Sequence, residues 1–160
     1  MIKKIKGNIF NTSAQVIVNT VNCVGVMGRG IALECKLRYP EMFKKYKNFC
    51  DLKKIEPGIL QIWKESHPWI LNFPTKIHWK DPSKFDYLEK GLDKFVNTYS
   101  EKGITSIAFP LLGSSLGGLP EQQVFDLMKS KLENLRNIDI EIYEYDPKNN
   151  VLPVFHLLKV

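Results

Sequence analysis

Val18-Asn19-Thr20-Val21-Asn22-Cys23-Val24-Gly25-Val26-Met27-Gly28-Arg29-Gly30-Ile31-Ala32-Leu33 decides how this 160-residue chain is read. The stretch opens as an apolar β-type run, turns polar at Asn19 and Asn22, passes Gly25, Gly28 and Gly30, and continues as a helix-like pattern. A strand, a glycine-rich loop and a helix start in that order aim backbone N–H groups and the positive end of a helix dipole at one place. An anion, most often a phosphate, can be held there. A second stretch of the same kind, Leu112-Gly113-Ser114-Ser115-Leu116-Gly117-Gly118-Leu119, lies between the β-branched run Ile104 to Phe109 and a helix opened by Pro120. Neither matches the dinucleotide G-x-G-x-x-G or the P-loop, and each alone can be a tight turn that needs glycine. Together they can clasp two phosphates from opposite sides, which suits a diphosphate flanked by two sugars.

The composition, 44% hydrophobic and 25% charged, is that of one globular domain long enough to bury a core without metals or disulfides. No apolar run approaches the roughly 20 residues of a spanning helix, and Met1 to Lys6 is too short and too charged for a signal peptide. A cytoplasmic protein with no membrane partner is therefore expected, by default a monomer. Cys23, Cys35 and Cys50 include no C-x-x-C pair, and His67, His78 and His156 show no metal-hydrolase spacing, so neither a metal nor a cofactor is expected. The net charge of +6 is compatible with a nucleic-acid partner without requiring one. Lys44, Lys45, Lys47, Lys53 and Lys54 read as a solvated helical face; Lys76, His78, Lys80 and Lys84 lie nearer the candidate site.

Strand patterns at Ile2 to Lys6, Ala14 to Val18, Ile59 to Trp63, Trp69 to Phe73, Ile104 to Phe109 and around Ile138 to Tyr143 alternate with helical ones. Helices are expected after Gly30, after Pro40, over Ser83 to Lys102 with Ser83 and Asp86 as a capping pair, and after Pro120. The alternation implies an α/β fold of three layers, α/β/α, around a central mixed sheet. In Asn72-Phe73-Pro74-Thr75-Lys76 the proline ends the ladder, so Thr75 and Lys76 leave the sheet at the strand's carboxyl end, where open α/β sheets place their ligands.

These residues carry a resemblance. The chain is similar to the macrodomain, an ADP-ribose-binding module, and within it to the DNA ADP-ribosyl glycohydrolase branch, the DarG antitoxin macrodomains. The likeness runs through Gly7-Asn8-Ile9, the opening stretch, Asn72-Phe73-Pro74-Thr75-Lys76-Ile77-His78-Trp79, Leu112 to Leu119, and Tyr145-Asp146-Pro147. It implies a macrodomain over residues 1–147, followed by a tail or linker stub over 148–160. Asn8, Ile9 and Tyr145 would lie by the adenine. Asn19, Gly25, Val26, Met27, Gly28, Gly30 and Ile31 of the first loop, with Gly113, Ser114, Ser115, Leu116, Gly117, Gly118 and Leu119 of the second, would hold the diphosphate and its sugars. Asn22 would reach the distal ribose, Thr75 would line the pocket, and Lys76 matches the lysine to which this branch assigns catalysis. In the related vertebrate terminal ADP-ribose glycohydrolase an aspartate assists that lysine; the matching position here is Gly117, as in the DNA-directed members.

Release of ADP-ribose breaks a bond at C1″ of the distal ribose. A lysine amine there can attack through a Schiff-base-type intermediate, which needs the neutral amine, or can stabilise charge on the leaving group. The resemblance implies ADP-ribosylated DNA as substrate and a cognate DNA ADP-ribosyltransferase toxin as partner. Arg29, Lys76, His78, Lys80 and Lys84 could then form a positive rim, and Trp79 could either stack on an unpaired base or pack in the core. The same pocket could instead serve ADP-ribosyl-glutamate, O-acyl-ADP-ribose esters, or a non-catalytic ADP-ribose reader.

Overall fold

A computed structural model describes residues 1–146. Its strands are β1 (Ile2–Lys6), β2 (Val16–Val21), β3 (Gln61–Trp63), β4 (Trp69–Pro74), β5 (Ser106–Pro110) and β6 (Asp139–Glu144), and its helices are α1 (Gly30–Arg38), α2 (Pro40–Asp51), α3 (Phe85–Thr98) and α4 (Glu121–Leu132). The six strands form one sheet in the order β1-β6-β5-β2-β4-β3. All neighbours are parallel except β3 and β4, so the sheet is mixed, as the alternating pattern predicts. No helix among the described residues is long and apolar enough to cross a membrane. The expected tail at 148–160 lies outside the described residues.

Alternation along the strands divides the core between two faces. Val16, Val18, Leu71, Phe73, Ile107 and Phe109 pack with Leu88, Leu92 and Phe95 of α3 and Val124, Met128 and Leu132 of α4. Ile17, Val21, Ile70 and Ala108 face the other way, against Cys35 of α1 and Met42, Tyr46 and Cys50 of α2. Pro40 opens α2 at its first turn, where its missing N–H costs nothing. Gly91 is required by a close approach: a Cβ there would lie 2.2 Å from the Phe73 ring. That contact fixes the residue just before Pro74, Thr75 and Lys76.

Several boundaries differ from the sequence expectation. β2 runs on through Asn19, Thr20 and Val21, because Asn19 finds partners inside the sheet: its Nδ2 donates to Asn72 Oδ1 at 3.0 Å, and Asn72 Nδ2 donates to Gln61 Oε1 at 3.2 Å. β3 is confined to Gln61–Trp63. α3 begins at Phe85, not Ser83, and ends at Thr98. Ser83 does not cap it, since Lys84 stands between them in the cap position; the Ser83 backbone N–H donates to the Gly117 carbonyl at 3.0 Å, tying the residue to the second glycine loop.

Candidate active site

The order β5-β2-β4 puts three parallel strand ends side by side on one edge of the sheet. The second glycine loop leaves from β5, the first from β2, and Lys76 from β4. The junctions are stitched together. The Thr75 N–H donates to Val21 O at 2.9 Å, Cys23 N–H donates to Ile77 O at 2.9 Å, and the Cys23 thiol donates to Lys76 O at 3.3 Å. Along the same edge, β1 and β6 deliver Asn8 with Ile9 and Tyr145, and the Gly7 N–H donates to Glu144 O at 3.1 Å.

The first loop is held by side chains. Asn22 Oδ1 accepts from the N–H groups of Val24 at 3.1 Å and Val26 at 3.3 Å, while its Nδ2 donates to Val26 O at 2.8 Å. The Tyr46 hydroxyl of α2 donates between Asn22 O at 2.8 Å and Asn22 Oδ1 at 3.0 Å. Gly25, at φ +85°, sits against Lys47 and Cys50 of α2, and Met27 is buried beneath. Arg29 occupies the position before α1 in extended backbone and is exposed, so the loop runs straight into a helix N-terminus, as the junction predicts.

The second loop is held mainly by backbone. Leu119 N–H donates to Gly113 O at 3.0 Å, Gly118 N–H to Ser115 O at 3.3 Å, and Ser114 Oγ to Leu111 O at 2.9 Å. Gly117 is forced: a Cβ there would lie 2.3 Å from both Gly113 O and Ser83 Oγ. An aspartate at this position therefore cannot be accommodated without moving the loop. Leu116 reaches across to the first loop, its Cδ1 lying 3.6 Å from where a Gly30 Cβ would stand.

Lys76 is half-buried where these pieces meet, its Nζ donating to Leu116 O at 2.9 Å and to Trp79 O at 3.2 Å. Around it Trp79 is 48% exposed, which rules out the core-packing alternative. His78 stacks on Trp79 with ring centroids 5.4 Å apart, and Lys80 Nζ lies 5.1 Å from the indole centroid. Lys84 stands over Tyr87 at the start of α3. Lys44 and Lys47 pair with Glu41 and Asp51 on the exposed face of α2, the solvated face expected of them.

Not every anticipated contact faces outward. Asn19 is fully buried in its amide ladder under Met27, and Asn8 is buried with its Oδ1 accepting from the Phe10 N–H at 2.9 Å. Asn22 Oδ1 is committed to its own loop, while its Nδ2 makes one donation, to Val26 O, of the two it can make. Val26, Leu116 and Tyr145 are exposed; Ile31 and Ser114 are half-buried. Sequence reasoning read Ser83 as a helix cap and gave Tyr46 and Gly91 no part in the site. Only Gly91, a glycine inside an otherwise strong helical pattern, left a signal in the sequence.

Burial pushes the Cys23 thiol up to about 12, with Cys50 and then Glu56 adding to the effect. Burial likewise raises Cys35, and Tyr46. These thiols are thus held as neutral packing groups at neutral pH.

A three-layer sheet with two glycine loops meeting over one carboxyl edge defines a macrodomain, and the Macro domain family matches residues 18–128. The chain belongs to that family. Within it, the chain is 40% identical over 149 residues to a DNA ADP-ribosyl glycohydrolase of Mycobacterium tuberculosis, covering 89% of this chain and 42% of that protein. It is 34% identical over 158 residues to a DNA ADP-ribosyl transferase–DNA ADP-ribosyl glycohydrolase fusion protein of Thermosipho africanus, covering 87% of this chain and 40% of the fusion. Its fold superposes on the macrodomain of Thermus aquaticus DarG with a TM-score of 0.85 at 36% identity, over 90% of this chain and 98% of that structure. The chain spans about two fifths of the length of the curated relatives it matches.

Proposed function

We propose that this chain is a hydrolase that releases ADP-ribose from nucleobases of DNA, with Lys76 as the catalytic group. The observation that carries the reading is the place of Lys76 Nζ, 2.9 Å from Leu116 O of the second loop and beside the first. Two loops that clasp a diphosphate would present the distal ribose to that amine. The neutral amine attacks C1″ as the C1″–base bond breaks and the base leaves with a proton. The glycosylamine so formed opens at its C1″–ring oxygen bond to a protonated Schiff base, the ring oxygen taking up a proton, and water hydrolyses that iminium, returning the lysine; alternatively the ammonium stabilises charge developing on the base. The identity to proteins named DNA ADP-ribosyl glycohydrolase supports the DNA-directed choice. So does Gly117, which leaves no room for the assisting carboxylate.

In this reading Gly25 to Ile31 and Gly113 to Leu119 bind the diphosphate through backbone amides, and Tyr145 flanks the adenine. Arg29, His78, Lys80 and Lys84 make the positive rim for the DNA strand, and release is salt-dependent. The fusion relative supports a DNA ADP-ribosyltransferase as the partner whose product this chain removes. We further place it in the cytoplasm, with its DNA substrate.

The test is incubation of wild type and Lys76→Ala with ADP-ribosylated single-stranded oligonucleotide. Wild type releases ADP-ribose and the variant does not. Equal release by both would remove Lys76 from the mechanism. Tight binding of ADP-ribose with no release from any conjugate would make the chain a reader instead.

A further inference from the structure

Trp79 is a large aromatic side chain left half-exposed beside the lysine, where tryptophan is ordinarily mostly buried. It is also oriented. His78 stacks against it at 5.4 Å, Lys80 Nζ lies 5.1 Å from its centroid, and Lys80 N–H donates to His78 Nδ1 at 3.1 Å, closing the three residues into one unit. Its own carbonyl accepts from Lys76 Nζ at 3.2 Å, so one residue fixes both the indole and the amine. Ile77, next to the lysine in the chain, and Leu116, whose carbonyl also accepts from its Nζ, are exposed as well. A rim that only held phosphates would need charge and no such surface.

We propose that the Trp79 indole is the platform on which the nucleobase carrying the ADP-ribose stacks, so that the site takes that base only when it is unpaired. The proposal rests on the reading of this site as a DNA-directed ADP-ribosyl hydrolase. The base is the group attached to C1″, the carbon brought to Lys76, and therefore lies next to the residue whose carbonyl holds that amine. Stacking is available to any base, because every base has a π-face. Within a duplex both faces are covered by neighbouring pairs, so the base must leave the stack before it can lie on an indole. An ADP-ribosylated glutamate offers no ring to this surface, which makes Trp79 a specificity-determining residue for the nucleic-acid substrate.

The test measures binding in a Lys76→Ala background, where ligand is not consumed. Calorimetry compares free ADP-ribose, an ADP-ribosylated single-stranded oligonucleotide, and the same oligonucleotide annealed to its complement. The single strand is expected to bind at least about tenfold more tightly than ADP-ribose. Adding Trp79→Ala removes most of that difference, Trp79→Phe retains most of it, and annealing weakens binding in the parent. ADP-ribose affinity reports that each variant has folded. Oligonucleotide affinity indifferent to Trp79→Ala, or equal affinity for single strand and duplex, overturns the platform while leaving the ADP-ribose site standing. Failure of the parent to bind ADP-ribose at all overturns the site reading, and the platform with it.

Discussion

The first glycine loop is tied down by side chains, the second by its own backbone. Asn22 and Tyr46 fasten Val24 to Val26 onto α2, and Gly25 is wedged against Cys50. Between Gly113 and Leu119 the corresponding work is done by main-chain bonds and by the clip from Ser83 N–H to Gly117 O. The first loop is a pre-formed cradle at a helix N-terminus. The second meets the lysine through Leu116 O and leaves Ser115 and Leu116 exposed. In the proposed reading both loops hold the diphosphate, and the second has the added task of placing the lysine amine.

The division is broken most severely at Lys76. Lys76→Ala should lower release of ADP-ribose from DNA by at least about a hundredfold. It should leave ADP-ribose binding close to wild type, because in the proposed reading the diphosphate is held by the loops. Calorimetry beside single-turnover release separates the two quantities.

Next comes the second loop itself. Gly117→Ala puts a methyl 2.3 Å from Gly113 O and Ser83 Oγ, so the backbone must move and with it Leu116 O. A stability loss of about 1–3 kcal/mol, with a fall in release rate, is expected from denaturant unfolding and kinetics. Gly118→Ala is the internal control. A Cβ there has nothing within 4 Å, so only the strain of φ +79° remains, about 1–2 kcal/mol.

In the first loop Tyr46→Phe removes the hydroxyl shared by Asn22 O and Oδ1, at a cost of about 1–2 kcal/mol. Here ADP-ribose affinity should fall while the rate of release from saturating substrate changes little, whereas Gly117→Ala lowers that rate. If both loops gave the same pattern, the division of labour would fail.

The smallest effect is alkaline. Cys23 is raised to about 12 in the folded protein, so between the ordinary thiol value and about 12 the unfolded chain has lost a proton that the folded one keeps. Stability present at neutral pH is therefore lost as pH rises through that window. Melting temperatures across it should fall less steeply for Cys23→Ala than for wild type.

How much of this could be read in advance follows from how local each cause is. The strand, loop and helix junctions were legible because glycine and proline punctuate them, and Pro74 marks where Lys76 leaves the sheet. Asn19 looked like the start of a turn, yet it stays in β2 because Asn72 on the neighbouring strand accepts its amide proton, a partner that only strand register reveals. Ser83 carried the local signature of a helix cap, yet its backbone N–H is held by the Gly117 carbonyl, thirty-odd positions away, and α3 starts only after Lys84. The clip between Lys76 and Leu116 is of the same kind, since it arises from β5 and β4 flanking β2.

The central claim is tested most directly by presenting wild-type protein with ADP-ribosylated single-stranded DNA and an ADP-ribosylated glutamate peptide side by side and measuring kcat/KM for release from each. The account predicts efficient release from DNA, at least about tenfold favoured over the peptide. Release from the peptide alone, or from both at equal efficiency, would contradict it.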